Sequence, residues 1–401
     1  MSEFLQQLEE LRPYLTQLRR TLHAHPELGH QEQQTAARIE AELDAAHIPH
    51  RRCGGTGVVG ILRGTAAAPA AAAAAVVALR ADIDALPIEE QNDVPYRSQE
   101  AGRMHACGHD AHTACLLGAA RLLAAHTAAF SGEIRLIFQP AEEIGSGTRA
   151  FLEAGVMQGV DRAFGLHVAP DLPAGKVGLK PGLNNASVDH FTVRVQGKAA
   201  HVSTPQLGAD ALYIACQTVV ALQALVTRCT SPVEPVIIGV GKLQAGDAYN
   251  AVAERAVLEG TTRAVTHETR AHLREQVTEA ARQTAALYGG TAEVEWEDFS
   301  PPLINDAQAT AEAVDMVRAL WGDGRVIPDR ALSLGGDNFA DFQLAAPGVY
   351  AYLGSANPAL PATQNALHNG GFDLDEAVLP FGAGLYAASA LWWLTGGAAW
   401  G

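Results

Sequence analysis

Met104-His105-Ala106-Cys107-Gly108-His109-Asp110-Ala111-His112 crowds a thiol and three imidazoles around one glycine, immediately before an Ala/Leu-rich helical pattern from Ala111 to Ala125. Cys107 and His109 sit two apart, so in an extended turn both side chains leave the same side and can grip one cation. Three other stretches offer donors of the same kind. Phe138-Gln139-Pro140-Ala141-Glu142-Glu143 closes an apolar strand with paired carboxylates, Gly165-Leu166-His167-Val168 ends another strand-like run with an imidazole, and Ala366-Leu367-His368-Asn369 adds one more. Cys107, His109, Glu143, His167 and His368 therefore supply five candidate ligands, a set that suits two divalent ions sharing a bridge better than one tetrahedral structural zinc.

The segments around these donors alternate between strand and helix. Strand patterns at Val58 to Leu62, Val76 to Arg80, Glu133 to Phe138 and Arg162 to Val168 are interleaved with helix patterns at Ala111 to Ala125 and Ser146 to Ala154. Such alternation predicts an α/β domain with a mainly parallel sheet flanked by helices. Ligands of such sheets bind beyond the carboxyl ends of the strands, where Asp82, Glu142, Glu143 and His167 fall. Upstream, one helix is expected from Glu3 to His23, ended by His25-Pro26, and a second from Glu32 to Ala46. The Gly/Ala/Pro tract from Gly64 to Ala75 reads as a surface hairpin insertion.

From Phe191 the pattern changes. Phe191, Val193 and Val195 alternate with polar residues, a long helix follows from Ala209 to Arg228, then strands at Val236 to Leu243 and Ala256 to Val265, a helix from His267 to Tyr288, and a last strand through Ala292, Val294 and Trp296. The order β-α-β-β-α-β is that of a split βαβ, ferredoxin-like α+β unit. The expected organisation is a first catalytic segment at 1–186, an inserted lid and dimerisation domain at 187–298, and a second catalytic segment at 299–401, with a strand from Gly348 to Leu353 and a helix from Asp375 to Leu394.

A net charge of −16 excludes nucleic acid and an anionic membrane as partners, since the average field repels both. The first twenty residues lack the layout of a secretory signal, and the apolar runs Ala70 to Leu79 and Ala387 to Leu394 are too short to span a bilayer. Five cysteines, Cys53, Cys107, Cys115, Cys216 and Cys229, form no paired framework, so reduced thiols and a cytoplasmic location are expected. Cys115, Cys216 and Cys229 lie on helical patterns among apolar neighbours and read as small buried residues.

Leu22-His23-Ala24-His25-Pro26-Glu27-Leu28-Gly29, Arg80-Ala81-Asp82-Ile83-Asp84-Ala85-Leu86-Pro87, His105 through His112, Gln139 through Glu143, and Gly197-Lys198-Ala199-Ala200-His201 together resemble the N-acyl-amino-acid amidohydrolases. That family includes hippurate hydrolase and the indoleacetyl-amino-acid hydrolases, and is related to aminoacylase, acetylornithine deacetylase and the glutamate carboxypeptidases. The likeness runs through nearly the whole chain in the same order. It implies a zinc-peptidase-like fold and a dinuclear centre in which Cys107 bridges, His109 and His167 hold one ion, and Glu143 and His368 hold the other. It implies further that Glu142 is the general base for attack by metal-bound hydroxide, and that His201 on the lid polarises the substrate carbonyl across a dimer interface. The substrate would be a small N-acyl or N-aroyl amino acid, and the assembly a homodimer or a tetramer built from dimers.

Two stretches depart from the family pattern: Gly335-Gly336-Asp337-Asn338-Phe339, and Val202-Ser203-Thr204-Pro205-Gln206 after the lid histidine. They leave two alternatives open, a dipeptidase or carboxypeptidase using the same centre, and a catalytically silent metal-binding homologue. Manganese or zinc are the leading ions, with cobalt and nickel also admitted by the imidazole and carboxylate donors. Asn250 and Arg263 are candidates for gripping the substrate carboxylate, because arginine presents a bidentate fork to that group. Adjacent glutamates in extended chain point to opposite sides, so Glu143 would face metal while Glu142 faces water. His112 and Asp110 are expected to support the ligands from behind, and Asp82 to orient a metal-bound histidine.

Overall fold

The computed structural model describes residues 2–67 and 75–397. Two compact units emerge: Met1–Gly182, Ile304–Ala331 and Asp341–Gly401 form the first, Leu183–Leu303 and Leu332–Ala340 the second. The second unit differs at both ends from the insertion expected at 187–298, and Leu332–Ala340, expected within the returning catalytic segment, clusters with the second unit. Backbone pairing gives the reason. Ser333 N donates to Asn184 O and Ala186 N to Ser333 O, each at 3.0 Å, and a Cβ on Gly336 would lie 2.4 Å from Val188 Cγ2 and 2.5 Å from Ser300 Oγ.

The sheet of the first unit has eight strands in the order His50–Cys53, Gly57–Arg63, Glu133–Gln139, Val76–Asp82, Arg162–Pro173, Gly348–Ala356, Val177–Gly178 and Val326–Ile327. Its four central strands, Glu133–Gln139 through Gly348–Ala356, run parallel, and antiparallel partners flank them. Val76–Asp82 and Gly348–Ala356 are buried almost end to end, as expected of parallel strands covered on both faces. The covering helices His109–Ala125 and Leu379–Thr395 are mostly buried, the second apolar all round.

Local chemistry accounts for the departures from the expected elements. The single helix from Glu3 to His23 is two, Ser2–Glu10 and Arg12–Ala24, because Pro13 sits in the first turn of the second, where it lacks the N–H a continuous helix needs. The helix expected at Ser146 to Ala154 shrinks to Arg149–Glu153. His50–Cys53 is an unforeseen edge strand whose charged residues hid it from an apolar-pattern search. Most of the Gly64 to Ala75 tract, residues 68–74, lies outside the described residues.

In the second unit, Ile237–Ala245, Arg255–Arg263, Val188–Gln196 and Thr291–Ser300 form a four-stranded antiparallel sheet in that order. Phe191, Val193, Val195 and Leu258 share a core with Ile214 and Leu222 of helix Ala211–Ala224 and with Leu273 and Val277 of helix His267–Leu287. The two edges differ. Thr291–Ser300 exposes Glu293, Glu295 and Glu297, whereas Ile237–Ala245 carries Lys242 as its one charged residue. The outer faces of the helices differ as well: His267–Leu287 shows charge to solvent, but Ala211–Ala224 exposes Leu212, Tyr213, Cys216 and Val220. Cys216 and Cys229 are thus exposed rather than buried, while Cys115 is buried.

Among the described residues, length and composition alone would let Ala211–Cys229 and Glu376–Thr395 cross a membrane, although neither is an unbroken apolar run. The second is 72% buried and is a core helix, while the first is 22% buried.

Candidate metal centre

The motif around Cys107 is shaped by Gly108. It holds φ +85° as the residue before helix His109–Ala125, and a Cβ there would come within 2.4 Å of Val168 Cγ2, so both backbone and space demand glycine. Cys107 and His109 therefore converge through a left-handed turn into a helix, not through the extended turn expected from their spacing.

Ligating atoms of Cys107, His109 and His167 lie within 4.8 Å of one another, and so do those of Cys107, Glu143 and His368. The two triads share the sulfur. Cys107 Sγ is 3.4 Å from His167 Nε2, and His368 Nε2 is 3.4 Å from Glu143 Oε2. His109 places Nδ1 2.9 Å from Asp84 O and His167 places Nδ1 2.7 Å from Val168 O. With those N–H groups donated to carbonyls, each ring presents the lone pair of Nε2 to the cluster. His368 is half exposed, holds φ +62°, and is anchored by its N–H to Ala106 O at 2.8 Å.

Whether cations suit this cluster can be tested on its unsatisfied atoms. His109 Nε2 and Glu143 Oε1 are buried without a hydrogen-bond partner among the described residues, and they face each other across 3.7 Å. Buried polar atoms are rarely left so. Divalent ions, one held by each triad, would satisfy both atoms, and the thiol, imidazole and carboxylate set is a ligand set for such ions.

Electrostatics point the same way. Burial, followed by the charge of Glu143, pushes the Cys107 thiol well above its ordinary range, so a thiolate there needs adjacent positive charge. Burial opposes protonation of His109, but Asp82 and Cys107 outweigh it and raise its pKa. For His167 burial and the neighbouring His112 prevail, and its pKa falls well below normal, leaving a neutral donor.

Glu142 and Glu143 do not diverge as adjacent residues of a strand would. Ala141 takes φ +52°, the chain turns, and both carboxylates have an oxygen within 4.8 Å of a His109 ring nitrogen and of each other. His112 belongs to a further cluster of possible ligands with Asp82 and His109, but both its ring nitrogens are engaged: Asp82 Oδ1 sits 2.6 Å from its Nδ1, and Val168 N donates to its Nε2 at 2.9 Å. Asp82, expected to orient a ligand histidine, instead binds His112 and takes Arg80 NH1 on its other oxygen at 2.8 Å. Asp110 faces away, receiving Arg19 Nε at 2.8 Å and lying 2.7 Å from His23 Nδ1. Glu32 and Asp84, which sequence reasoning passed over, hold the turn that carries the glutamates.

The second unit carries the other three candidates. His201 is exposed, and its Nδ1 accepts Ser203 N at 3.2 Å with Ser203 Oγ at 2.7 Å, which leaves the proton on Nε2. Asn250 accepts Val202 N at 3.1 Å beside the pairing of Ala251 with His201. Arg263 donates Nε to Leu334 O at 3.1 Å and NH1 to Thr262 O at 2.9 Å, and also reaches the Thr261 hydroxyl. No carboxylate ion-pairs with it among the described residues, and burial lowers its pKa. Arg263 ends strand Arg255–Arg263, whereas Asn250 and His201 lie beyond its start, an offset of roughly 27 Å at strand rise. Asn250 and Arg263 of one chain therefore cannot grip one carboxylate, contrary to expectation.

The family model described as "Peptidase family M20/M25/M40" matches residues 78–391. The chain is 37% identical to an N-acetylcysteine deacetylase of Bacillus subtilis over 94% of this chain and 96% of the relative, and 35% identical to thermostable carboxypeptidase 2 of Saccharolobus solfataricus over 96% of each. Among solved structures, the YXEP protein of Bacillus subtilis, described as a dinuclear metal binding peptidase from the M20 family, superposes with a TM-score of 0.81 at 35% identity, covering 96% of this chain and 99% of that one.

Proposed function

This chain belongs to peptidase family M20/M25/M40, and from that premise we propose that it is a dinuclear metal-dependent amidohydrolase cleaving the amide bond of N-acyl or N-aroyl amino acids. The observation that carries the reading is the pair of ligand triads sharing one thiol, Cys107 with His109 and His167, and Cys107 with Glu143 and His368. Two divalent ions in such a site lower the pKa of water from about 15.7 toward roughly 7 and polarise a carbonyl oxygen. Glu142, 6% exposed beside both triads, takes the proton of the attacking water and passes it to the amide nitrogen. The C–N bond breaks, and a carboxylic acid and a free amino acid leave.

Arg263, a half-buried guanidinium without an ion-paired carboxylate among the described residues, is assigned to the substrate carboxylate. His201 is assigned to the substrate carbonyl, with its Nε2–H as donor. Because these two lie at opposite ends of one strand, they serve one substrate only if a second copy supplies one of them. A homodimer through the second unit follows, joined by helix Ala211–Ala224 and edge strand Ile237–Ala245, whose apolar surface suits a second copy; dimers could pair further into tetramers. Zinc and manganese are the favoured ions, zinc because of the thiolate. A metal centre built on a thiol, with Cys216 and Cys229 exposed, favours the reducing cytoplasm.

The carboxypeptidase relative supports a second reading, in which the bond cut is a peptide. Metal-reconstituted protein given hippurate, N-acetyl amino acids and dipeptides distinguishes them by which member releases free amino acid. Release from none overturns both readings.

A further inference from the structure

The two glutamates on which the proposed chemistry depends are carried by an irregular turn. After strand Glu133–Gln139 the chain passes Pro140, adopts φ +52° at Ala141, and only then presents Glu142 and Glu143. A non-glycine residue in that conformation is held there by its surroundings. Here two buried carboxylates from distant parts of the chain do the holding.

We propose that Asp84 is a positioning residue that registers both glutamates and His109 against one another. It rests on the function proposed above and extends it to a residue outside the ligand set. Asp84 is 1% exposed. Oδ1 accepts the backbone N–H of Glu142 and Oδ2 that of Glu143, each at 3.0 Å, while its main-chain carbonyl lies 2.9 Å from His109 Nδ1. One residue thus touches the proposed base, a ligand of one triad and a ligand of the other. Its own backbone is fixed on both sides, by Ile83 N to Gln139 O at 3.0 Å and Ala85 N to Glu27 O at 2.8 Å.

Glu32 completes the clamp one residue earlier. It is fully buried, accepts Ala141 N on Oε1 at 2.9 Å, and accepts the Thr56 hydroxyl on Oε2 at 2.6 Å. The two carboxylates differ in what they tolerate. An amide at Glu32 can keep an oxygen toward Ala141 N while its NH2 donates to the Thr56 hydroxyl, which also accepts. An amide at Asp84 cannot do the same: both oxygens receive backbone N–H groups, so whichever way it is turned, one N–H faces another donor. One end of the turn is then released.

The test compares Asp84→Asn with Glu32→Gln, each titrated with Zn2+ or Mn2+ alongside the parent. Asp84→Asn is expected to weaken at least one of two metal equivalents by tenfold or more, with kcat falling, whereas Glu32→Gln stays within about threefold of the parent, as its retained hydrogen bonds require. Two equivalents bound by Asp84→Asn with unchanged affinity overturn the inference alone. A parent that binds no metal overturns the proposed function and the inference together. Should Asp84→Asn fail to fold, amide exchange in the unaltered protein decides: Glu142 and Glu143 N–H groups protected to the level of Phe138 support the clamp, and exchange as fast as an open loop sinks it.

Discussion

The backbone N–H of Val168 donates to Nε2 of His112 at 2.9 Å, and the carbonyl of the same Val168 lies 2.7 Å from Nδ1 of His167. His112, itself fixed by Asp82 at 2.6 Å, thereby holds the residue whose carbonyl aims a proposed ligand. Replacing His112 by Ala leaves the Val168 N–H and Asp82 without their partner. Metal at the Cys107, His109 and His167 triad should weaken roughly 10- to 100-fold, as for other supports of ligand histidines. Competition against a chromophoric chelator measures it, and unchanged affinity rejects the arrangement.

Glu142→Gln preserves size but removes the proton acceptor. Turnover should fall by about 10²- to 10⁴-fold with two metal equivalents retained. Glu143→Gln should instead lose metal. Metal analysis of both proteins beside their rates would reveal a reversed assignment as the opposite pattern.

His23 gives a stability signature. Its Nδ1 is 2.7 Å from Asp110 and its Nε2 3.2 Å from Glu90, with Tyr96 edge-on and Arg19 and His105 beside it. Burial and Arg19 oppose its charge, but Asp110 and Glu90 outweigh them, so its pKa lies above the ordinary 6.5. A raised folded pKa means the stabilisation is complete below about pH 6.5 and is lost as pH rises through the folded value. Melting of the metal-free protein from pH 6 upward should show that loss. His109, whose pKa is also raised, adds to that loss, so His23→Gln should show a smaller loss rather than none, with stability on the order of 3 kcal/mol lower at pH 6.

Thiol chemistry separates the cysteines. Cys216 and Cys229 are exposed and should react quickly with a disulfide reagent, whereas Cys107 is buried beside Glu143 with its thiol raised well above the usual range. Two fast equivalents are expected with and without metal. A third fast thiol after chelation would show that the Cys107 pocket opens when its ions leave.

Val220, 64% exposed on helix Ala211–Ala224, tests the assembly. Val220→Glu should give monomers in sedimentation and cut turnover at least tenfold, because a desolvated charge at an apolar contact costs several kcal/mol. Binding to neutral lipid vesicles by the unaltered protein would assign that apolar face to a bilayer instead.

The parallel sheet, the split βαβ unit and all five proposed ligands could be read from the chain, because periodicity and donor-rich turns leave a side-chain pattern. Asp84 and Glu32 could not, since their role is to accept backbone N–H groups, and a main-chain donor has no signature in the sequence. The strand rule failed at Glu142 and Glu143 because Ala141, a residue that favours helices, is held left-handed by contacts from residues 57 and 109 positions earlier. Cys216 was misjudged for a related reason: apolar neighbours along a helix signal burial only when that face has a partner within the chain.

Three glutamates along Thr291–Ser300 repel an incoming strand, whereas Ile237–Ala245 carries no negative charge. A molecule with a single adhesive border can satisfy it once, against the same border of a twin, and the union then presents only repellent rims. In the proposed dimer this sheet would therefore stop growing at a closed pair, and an aggregating ribbon of such sheets would have nowhere to begin.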